Sequence, residues 1–194
     1  MIDKILALHD SLTAAEVDHA FGGALALAYC TEHPRGTIDI DVNLFVDPSR
    51  AREVLEQLPD GVRWTNLDVE RAAREEQLRL FWDRTPVDLF FATHEFHDQA
   101  AVGRRSVEFA DTTIPVLGCV ELAVFKCLYD RTRDWADLEA MHAAGALDAD
   151  TAAGWLARLL GPDDPRLARL TTLARHEVAL EDAPGRSLRD LRSR

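Results

Sequence analysis

Cysteine and lysine are scarce in this chain of 194 residues. The three cysteines, Cys30, Cys119 and Cys127, have an odd count and no metal-ligand spacing, which predicts buried thiols in a reducing compartment. Only two of the 22 basic residues are lysines, Lys4 and Lys126, and the other twenty are arginines. In a chain so rich in arginine, Lys126 indicates a position where a compact ammonium group is needed.

Excess positive charge and long apolar runs are also missing. The net charge of −12 argues against broad, sequence-independent binding to nucleic acid, so any contact with RNA must be local. The uncharged stretch 21–31 is too short to span a bilayer, and no basic region followed by an apolar segment opens the chain. We therefore expect a cytoplasmic protein.

The segment 21–41 contains the most informative pattern. Around its end, apolar and polar residues alternate, as they do in a half-buried strand, which we predict at 37–46. Asp39 and Asp41 then point to the same side, roughly 7 Å apart, and two such carboxylates can share a hard divalent cation. Upstream, Gly22 and Gly23 leave backbone N–H groups open to a phosphate where a strand passes into a helix.

The remaining periodicity predicts an α+β fold with a small mixed sheet and a C-terminal helical region. The predicted helices are 3–15, 24–29, 50–58, 67–75, one beginning near 118, 150–160 and 165–176. The other predicted strands are 17–21, 62–65, 78–82, 87–91, 106–109 and 113–116. We divide the chain into a core at 1–117, a helical region at 118–182 and a mobile basic tail at 183–194.

One carboxylate stands in the apolar run VDLFFA. Asp88 is costly to bury there unless it is paired or bound to a cation. The two interpretations are a metal ligand on a strand beside the Asp39 strand, and an ion pair with an arginine. The residues alone leave both open.

A second charged pattern follows the predicted boundary. Lys126, Asp130, Arg133 and Asp137 are spaced by four, three and four residues, so on one continuous helix they line a single polar face. From the residues alone, a solvated ladder of salt bridges is the favoured interpretation of this spacing.

Together, these motifs resemble the nucleotidyltransferases of the DNA-polymerase-β-like superfamily. The shared pattern is a hydrophobic residue, Gly, then Gly or Ser, a helix, and Asp-hydrophobic-Asp-hydrophobic. GGALALAY, PRGT, DIDVN and FKCLYDRTRDWADLEAM make the segment 17–141 most similar to the AbiEii-type members. Many members of the superfamily have Ser at the position of Gly23, whereas Gly-Gly occurs among AbiEii-type sequences.

The resemblance implies a nucleotidyltransferase fold and a set of roles for single residues. It implies that Asp39, Asp41 and Asp88 hold Mg²⁺. It implies that Gly22 and Gly23 cradle a nucleoside triphosphate, beside Arg35, Thr37 and Lys126. Lys126 and a downstream aspartate belong to the active site of this family, and both Asp134 and Asp137 fit the motif. We assign Asp39, Asp41, Lys126 and Asp137 as catalytic.

The function that the resemblance implies is transfer of a nucleotide from an NTP to RNA, most plausibly to the 3′ end of tRNA. Such a protein is the toxin of a pair whose antitoxin is separately encoded. The alternatives are a nucleotidyltransferase that modifies a small molecule such as an aminoglycoside, and a non-catalytic interaction module. We expect Thr37 to lie on the Asp39 strand face, where a phosphoryl group on its hydroxyl is an off switch for triphosphate binding.

Overall fold

A mixed β-sheet with helices around it forms the part of the chain that the structure, a computed structural model, describes, residues 1–175. The helices are α1 Ile2–Ala14, α2 Gly23–Thr31, α3 Ala51–Leu55, α4 Asn66–Glu75, α5 Glu95–Gly103, α6 Cys119–Tyr129, α7 Thr132–Ala143, α8 Ala149–Leu160 and α9 Pro165–Arg175. The strands are β1 His19–Phe21, β2 Ile40–Leu44, β3 Val62–Arg63, β4 Gln77–Trp82, β5 Thr85–Phe91, β6 Arg105–Phe109 and β7 Thr112–Val116. A single 3-10 turn, Pro48–Arg50, precedes α3.

The strand order is β3-β4-β5-β2-β1-β7-β6. The pairs β2/β5 and β1/β7 are parallel, and the other neighbours are antiparallel. The predicted class, a mixed sheet flanked by helices, is therefore confirmed. The predicted tail at 183–194 lies outside the described residues, and the division at residue 117 stays a prediction.

Alternation along β2 and β5 gives the centre of the sheet one apolar and one polar face. Ile40, Val42 and Leu44 are buried, and their register partners on β5 are Val87, Leu89 and Phe91. The residues between them point to the other face. This arrangement places the polar residues of the two strands side by side.

Strand β2 is shorter than the predicted strand 37–46. It begins at Ile40, which pairs with Val87, and the preceding residue on β5 is Pro86. Proline has no N–H to continue the ladder on that side. On the other side β1 has already ended at Phe21. Thr37 and Asp39 therefore lie in the segment before the strand, and the prediction that they share a strand face is wrong.

The predicted continuous helix after residue 118 is broken. Helix α6 ends at Tyr129, Asp130 has the left-handed φ of 55°, and α7 begins at Thr132. The Asp130 carboxylate accepts a hydrogen bond from Trp135 Nε1 at 2.6 Å. It does not join Lys126 in a common polar face.

Two of the three cysteines are not free thiols. Cys30, near the end of α2, is bonded to Cys119, the first residue of α6, while Cys127 is free and buried. The two bonded residues are 89 positions apart in sequence, so their spacing carried no signal for the contact. The prediction of three thiols is wrong, and with it the argument from cysteine for a reducing compartment. Cytoplasmic localisation stays a prediction.

Candidate active site

A row of charged side chains crosses three neighbouring strands on the polar face of the sheet. Arg79 of β4 is the register partner of Asp88 of β5, and Asp88 is in turn the register partner of Asp41 of β2. The next position along the row is Gly22, whose N–H donates to the Asp41 carbonyl at 2.9 Å. The sheet therefore brings the Gly-Gly turn, one aspartate of each motif and an arginine together.

The Asp41 carboxylate is the least compensated group of this row. Burial, and after it the nearby charges of Asp39 and Asp88, raise its pKa to about 6. Lys126 and Arg133 act in the opposite direction without cancelling the rise. A carboxylate in such a position gains from a bound cation, because a cation removes both the burial penalty and the repulsion.

The Gly-Gly turn is shaped around that carboxylate. Gly23, the first residue of α2, has a φ of +51°, and a Cβ atom there would lie 1.7 Å from Asp41 Oδ2. A Cβ at Gly22 would lie 2.7 Å from Asn43 Nδ2. Glycine at 23 is thus needed for the close approach of Asp41 to the N-terminus of α2.

We expect Gly23→Ser to destabilise the protein by about 2–3 kcal/mol, because it combines a positive φ with a clash that needs movement of Asp41. Gly154→Ala is the matched control, since Gly154 lies inside α8 with open space where a Cβ would be. That substitution should stabilise the protein by about 1 kcal/mol through helix propensity. Urea denaturation of both variants measures the difference, and a Gly23→Ser protein as stable as the wild type would contradict this account of the turn.

Asp39 is bound by Thr37, the residue whose phosphorylation we predicted as an off switch. The Thr37 hydroxyl donates a hydrogen bond to the Asp39 carboxylate. Burial raises the pKa of Asp39, but this hydrogen bond, a backbone hydrogen bond and the charges of Arg133 and Arg79 together lower it more, so the net shift is downward. Thr37 thus contacts the candidate site from the loop before β2, and its modification stays a prediction.

Asp88 has the arginine partner that sequence analysis offered as its alternative role. Arg79 Nε and Nη2 donate to the two Asp88 oxygens at 2.7 and 2.6 Å, which is a bidentate pair. Asp88 still faces Asp41 across the parallel strand pair. The ion pair with an arginine is therefore present, and the role of Asp88 as a metal ligand stays a prediction.

Lys126 and Asp137 meet although the helix between them is broken. Lys126 Nζ donates to Asp137 Oδ2 at 2.6 Å, and Arg35 Nη2 donates to the same oxygen at 3.0 Å. Lys126 is 5% exposed and Asp137 6%, so the favoured interpretation of a solvated ladder is wrong. Asp134 is bound mainly by Arg131, at 2.7 Å, and its Oδ1 lies 3.8 Å from Lys126 Nζ. Asp137 is thus the aspartate that joins the two predicted phosphate-binding cations.

These side chains line one open cavity of about 660 Å³ between the sheet and helices α6 and α7. Of the predicted site residues, the cavity is lined by Gly23, Arg35, Asp39, Asp41, Asp88, Lys126 and Asp137. Thr37 lies in a smaller depression beside it, together with Arg35, Asp39 and Arg133. Gly22 contributes backbone to the turn and is not part of the lining.

Sequence analysis missed several residues of this cavity, including Arg79 and Arg133. Arg79 carried a signal: Trp82 pairs with Thr85 across a two-residue turn, and counting back from there places Arg79 opposite Asp88. The predicted strands 78–82 and 87–91 left residues 83–86 as the turn, which is two residues longer than the turn observed. Arg133 stood in the predicted polar face with Lys126 and Asp137, but its place in the cavity depends on how α7 packs.

The donor set of the cavity fits a divalent cation bound by oxygen ligands. Three carboxylates face the same space, and the pKa of Asp41 is raised to about 6 by burial and by the other two charges. The carboxylates are not gathered around one point, however. Within residues 1–175 no three His, Cys, Asp or Glu side chains are arranged as a metal site. Asp39 is engaged by Thr37 and Asp88 by Arg79.

A search of residues 1–175 for membrane spans finds no helix with the length and apolarity needed to cross a bilayer.

Comparison with known proteins supports the fold class. No protein-family model and no curated protein matches the sequence. Among solved structures, the antibiotic-resistance factor ANT(2'')-Ia matches with a TM-score of 0.57 at 15% identity, over 88% of this chain and 95% of that one. An antigenic nucleotidyltransferase-like protein from Paracoccidioides brasiliensis matches with a TM-score of 0.42 at 16% identity, over 88% and 92%. The chain has a nucleotidyltransferase fold.

Proposed function

We propose that this protein is a Mg²⁺-dependent nucleotidyltransferase that transfers a nucleoside monophosphate from an NTP to RNA, at the 3′ end of tRNA. The observation that supports catalysis is that the α2 N-terminus, a group of carboxylates and a buried lysine line the same cavity. The acceptor hydroxyl attacks the α-phosphorus, and pyrophosphate leaves.

Each side chain has a role that follows from its position. The N-terminus of α2, opened by Gly22 and Gly23, favours the negative charge of the triphosphate. Lys126 and Arg35, both bound to Asp137 in the free protein, turn to the phosphate oxygens and stabilise the charge that develops there. Asp39, Asp41 and Asp88 would hold Mg²⁺, which when bound stabilises charge on the attacking and leaving oxygens.

The arginines around the cavity favour RNA as the acceptor. The cavity lining includes Arg35, Arg71, Arg79, Arg131 and Arg133 in a chain whose net charge is −12. Such a local concentration of guanidinium groups suits a phosphate backbone brought to one place. The role as a toxin with a separate antitoxin rests on the AbiEii-type motifs, and we include it in the proposal on that ground.

A second candidate is transfer to a small molecule such as an aminoglycoside. The observation in its favour is the match to ANT(2'')-Ia, an antibiotic-resistance factor, along almost the whole of both chains. The carboxylates of the cavity and the acidic net charge also suit a polycationic acceptor.

Labelling distinguishes these functions. The purified protein is incubated at pH 8 with Mg²⁺, each labelled NTP, and either bulk tRNA or an aminoglycoside panel. We expect a discrete labelled RNA band with the wild type and with Arg74→Gln, a control on the exposed side of α4. Asp39→Asn should give no band. Label only in the aminoglycoside selects the second candidate, and no label in either acceptor favours a non-catalytic module and contradicts the proposal.

A further inference from the structure

Arg79 is bound to the carboxylate of Asp88, which the proposed metal site would use as a ligand. Its guanidinium binds both oxygens of Asp88, at 2.7 and 2.6 Å, so neither oxygen is free of a hydrogen bond from it. A divalent cation that uses Asp88 has to bind the same oxygens. The two ligands of Asp88, arginine and cation, therefore exclude or weaken each other.

The exposure of the two partners is unequal. The Arg79 side chain is 56% exposed and the Asp88 side chain 12%. The carboxylate is thus largely enclosed in the sheet, while more than half of the arginine side chain is open to solvent. An arginine so placed can leave the pair by side-chain rotation alone, without any change in the β4/β5 ladder.

The charges around the pair of Arg79 and Asp88 indicate that the pair does more than join strands β4 and β5. Asp39, Asp41 and Asp88 line one cavity, and Asp88 is the register partner of Asp41 on the neighbouring strand. Lys126, in the same cavity, is already paired with Asp137. The Arg79 guanidinium therefore supplies the positive charge beside Asp88 that a bound cation would otherwise supply.

We propose that Arg79 is a positioning residue that competes with the divalent cation for Asp88 and releases this carboxylate when a phosphate group enters the cavity. A guanidinium binds phosphate oxygens with the same two-pronged geometry that it uses for a carboxylate, so the triphosphate offers it a replacement partner. The cation is then bound strongly only together with the nucleotide. This inference rests on the proposed function, because it assumes that Asp88 is a cation ligand.

Competition by an internal partner lowers the apparent affinity for the cation by the fraction of molecules in which Asp88 is free. If Asp88 is free in about a tenth of the molecules, removing Arg79 raises the affinity about tenfold. A pair that only joins β4 to β5 would leave this affinity unchanged and would alter stability alone.

The test measures Mn²⁺ binding to the nucleotide-free protein at pH 8 by the electron-spin-resonance signal of the free ion. Arg79→Gln should bind Mn²⁺ about tenfold more tightly than the wild type. The matched control is Arg133→Gln, which removes another arginine of the same cavity that is not bound to Asp88. We expect it to change the affinity by about twofold or less, since it alters only the general charge. Equal effects of the two substitutions would overturn the proposal.

A double-mutant cycle isolates Asp88 itself. In an Asp88→Asn background, Arg79→Gln should change Mn²⁺ affinity no more than Arg133→Gln does, because the contested carboxylate is gone. A tenfold gain that persists without Asp88 would overturn the proposal. Thermal unfolding without metal verifies that each variant is folded.

Failure of the inference and failure of the proposed function give different results. A wild-type protein that labels an acceptor, with Mn²⁺ affinity unaffected by Arg79→Gln, contradicts only the competition for Asp88. A protein that labels no acceptor, and in which neither the wild type nor Arg79→Gln binds Mn²⁺ at millimolar concentration, contradicts the metal-dependent function and the inference with it.

Discussion

Asp41→Asn is expected to abolish nucleotide transfer and, at the same time, to raise the melting temperature of the metal-free protein at pH 8. Activity should fall by about 100-fold or more, the scale of losing a preorganised electrostatic contact. Stability should rise because the ionised carboxylate is unfavourable in the fold: its pKa is raised from 3.8 to about 6 by burial and by Asp39 and Asp88. The folded protein thus binds this proton more tightly than the unfolded chain does.

The sign of the pH dependence follows from that shift. Between about pH 4 and pH 6 the folded state keeps a proton that the unfolded chain has lost, so the Asp41 carboxyl makes the wild type progressively less stable as pH rises. Above pH 6 the full penalty is present, on the order of 3 kcal/mol. The gain from Asp41→Asn should therefore be about 6–12 °C at pH 8 and vanish below pH 4. Calorimetric scans at both pH values measure it.

Asp39→Asn is the matched comparison on the same segment. The pKa of Asp39 is shifted downward, because the Thr37 hydrogen bond, a backbone hydrogen bond and the nearby arginines together outweigh burial, so its ionised form is favoured in the fold. This variant should lose transfer activity as Asp41→Asn does but show no gain in melting temperature. If both variants change stability alike, or if either transfers nucleotides normally, the assignment of the two carboxylates is wrong.

Local patterns in the sequence predicted most of the fold and the central part of the site. Alternation along β2 and β5 identified both strands, and the parallel pairing then brings Asp41 beside Asp88. The Gly-Gly turn lies next to Asp41, as the motif implied. These features depend on neighbours in sequence or on one strand pair, so periodicity was enough to find them.

Two of the errors share a physical cause, which is that partners distant in sequence decide them. Strand β2 begins where its ladder with β5 begins, at Ile40 opposite Val87. The bond between Cys30 and Cys119 depends on the packing of α2 against α6. None of these contacts leaves a periodic signal in one segment of sequence.

The burial of Lys126 is the most consequential of these differences. A spacing of four, three and four residues is typical of a solvated helix face, yet the turn between α6 and α7 folds Asp137 back onto Lys126. The pair is thus enclosed between two helices. Its energetics are those of a buried ion pair, in which loss of one partner is costly.

Asp137→Ala should therefore reduce the free energy of unfolding by about 3–5 kcal/mol, because it leaves Lys126 buried with only Asp134 at 3.8 Å and deprives Arg35 of its partner. Asp134→Ala, on the same helix, is the control. It releases mainly Arg131, whose side chain is 70% exposed, and leaves the 2.6 Å bond of Lys126 intact, so about 1–2 kcal/mol is expected. Urea denaturation measures both variants.

A double substitution separates stability from function at the same pair. Lys126→Met with Asp137→Leu removes both buried charges and should recover most of the stability lost in Asp137→Ala, since apolar side chains of similar volume often replace a buried pair without loss. Transfer activity should stay absent, because Lys126 is proposed to bind the triphosphate. A stable double variant that still transfers nucleotides would show that the pair is only structural. Equal stability of Asp137→Ala and Asp134→Ala would show that burial of Lys126 does not carry the expected cost.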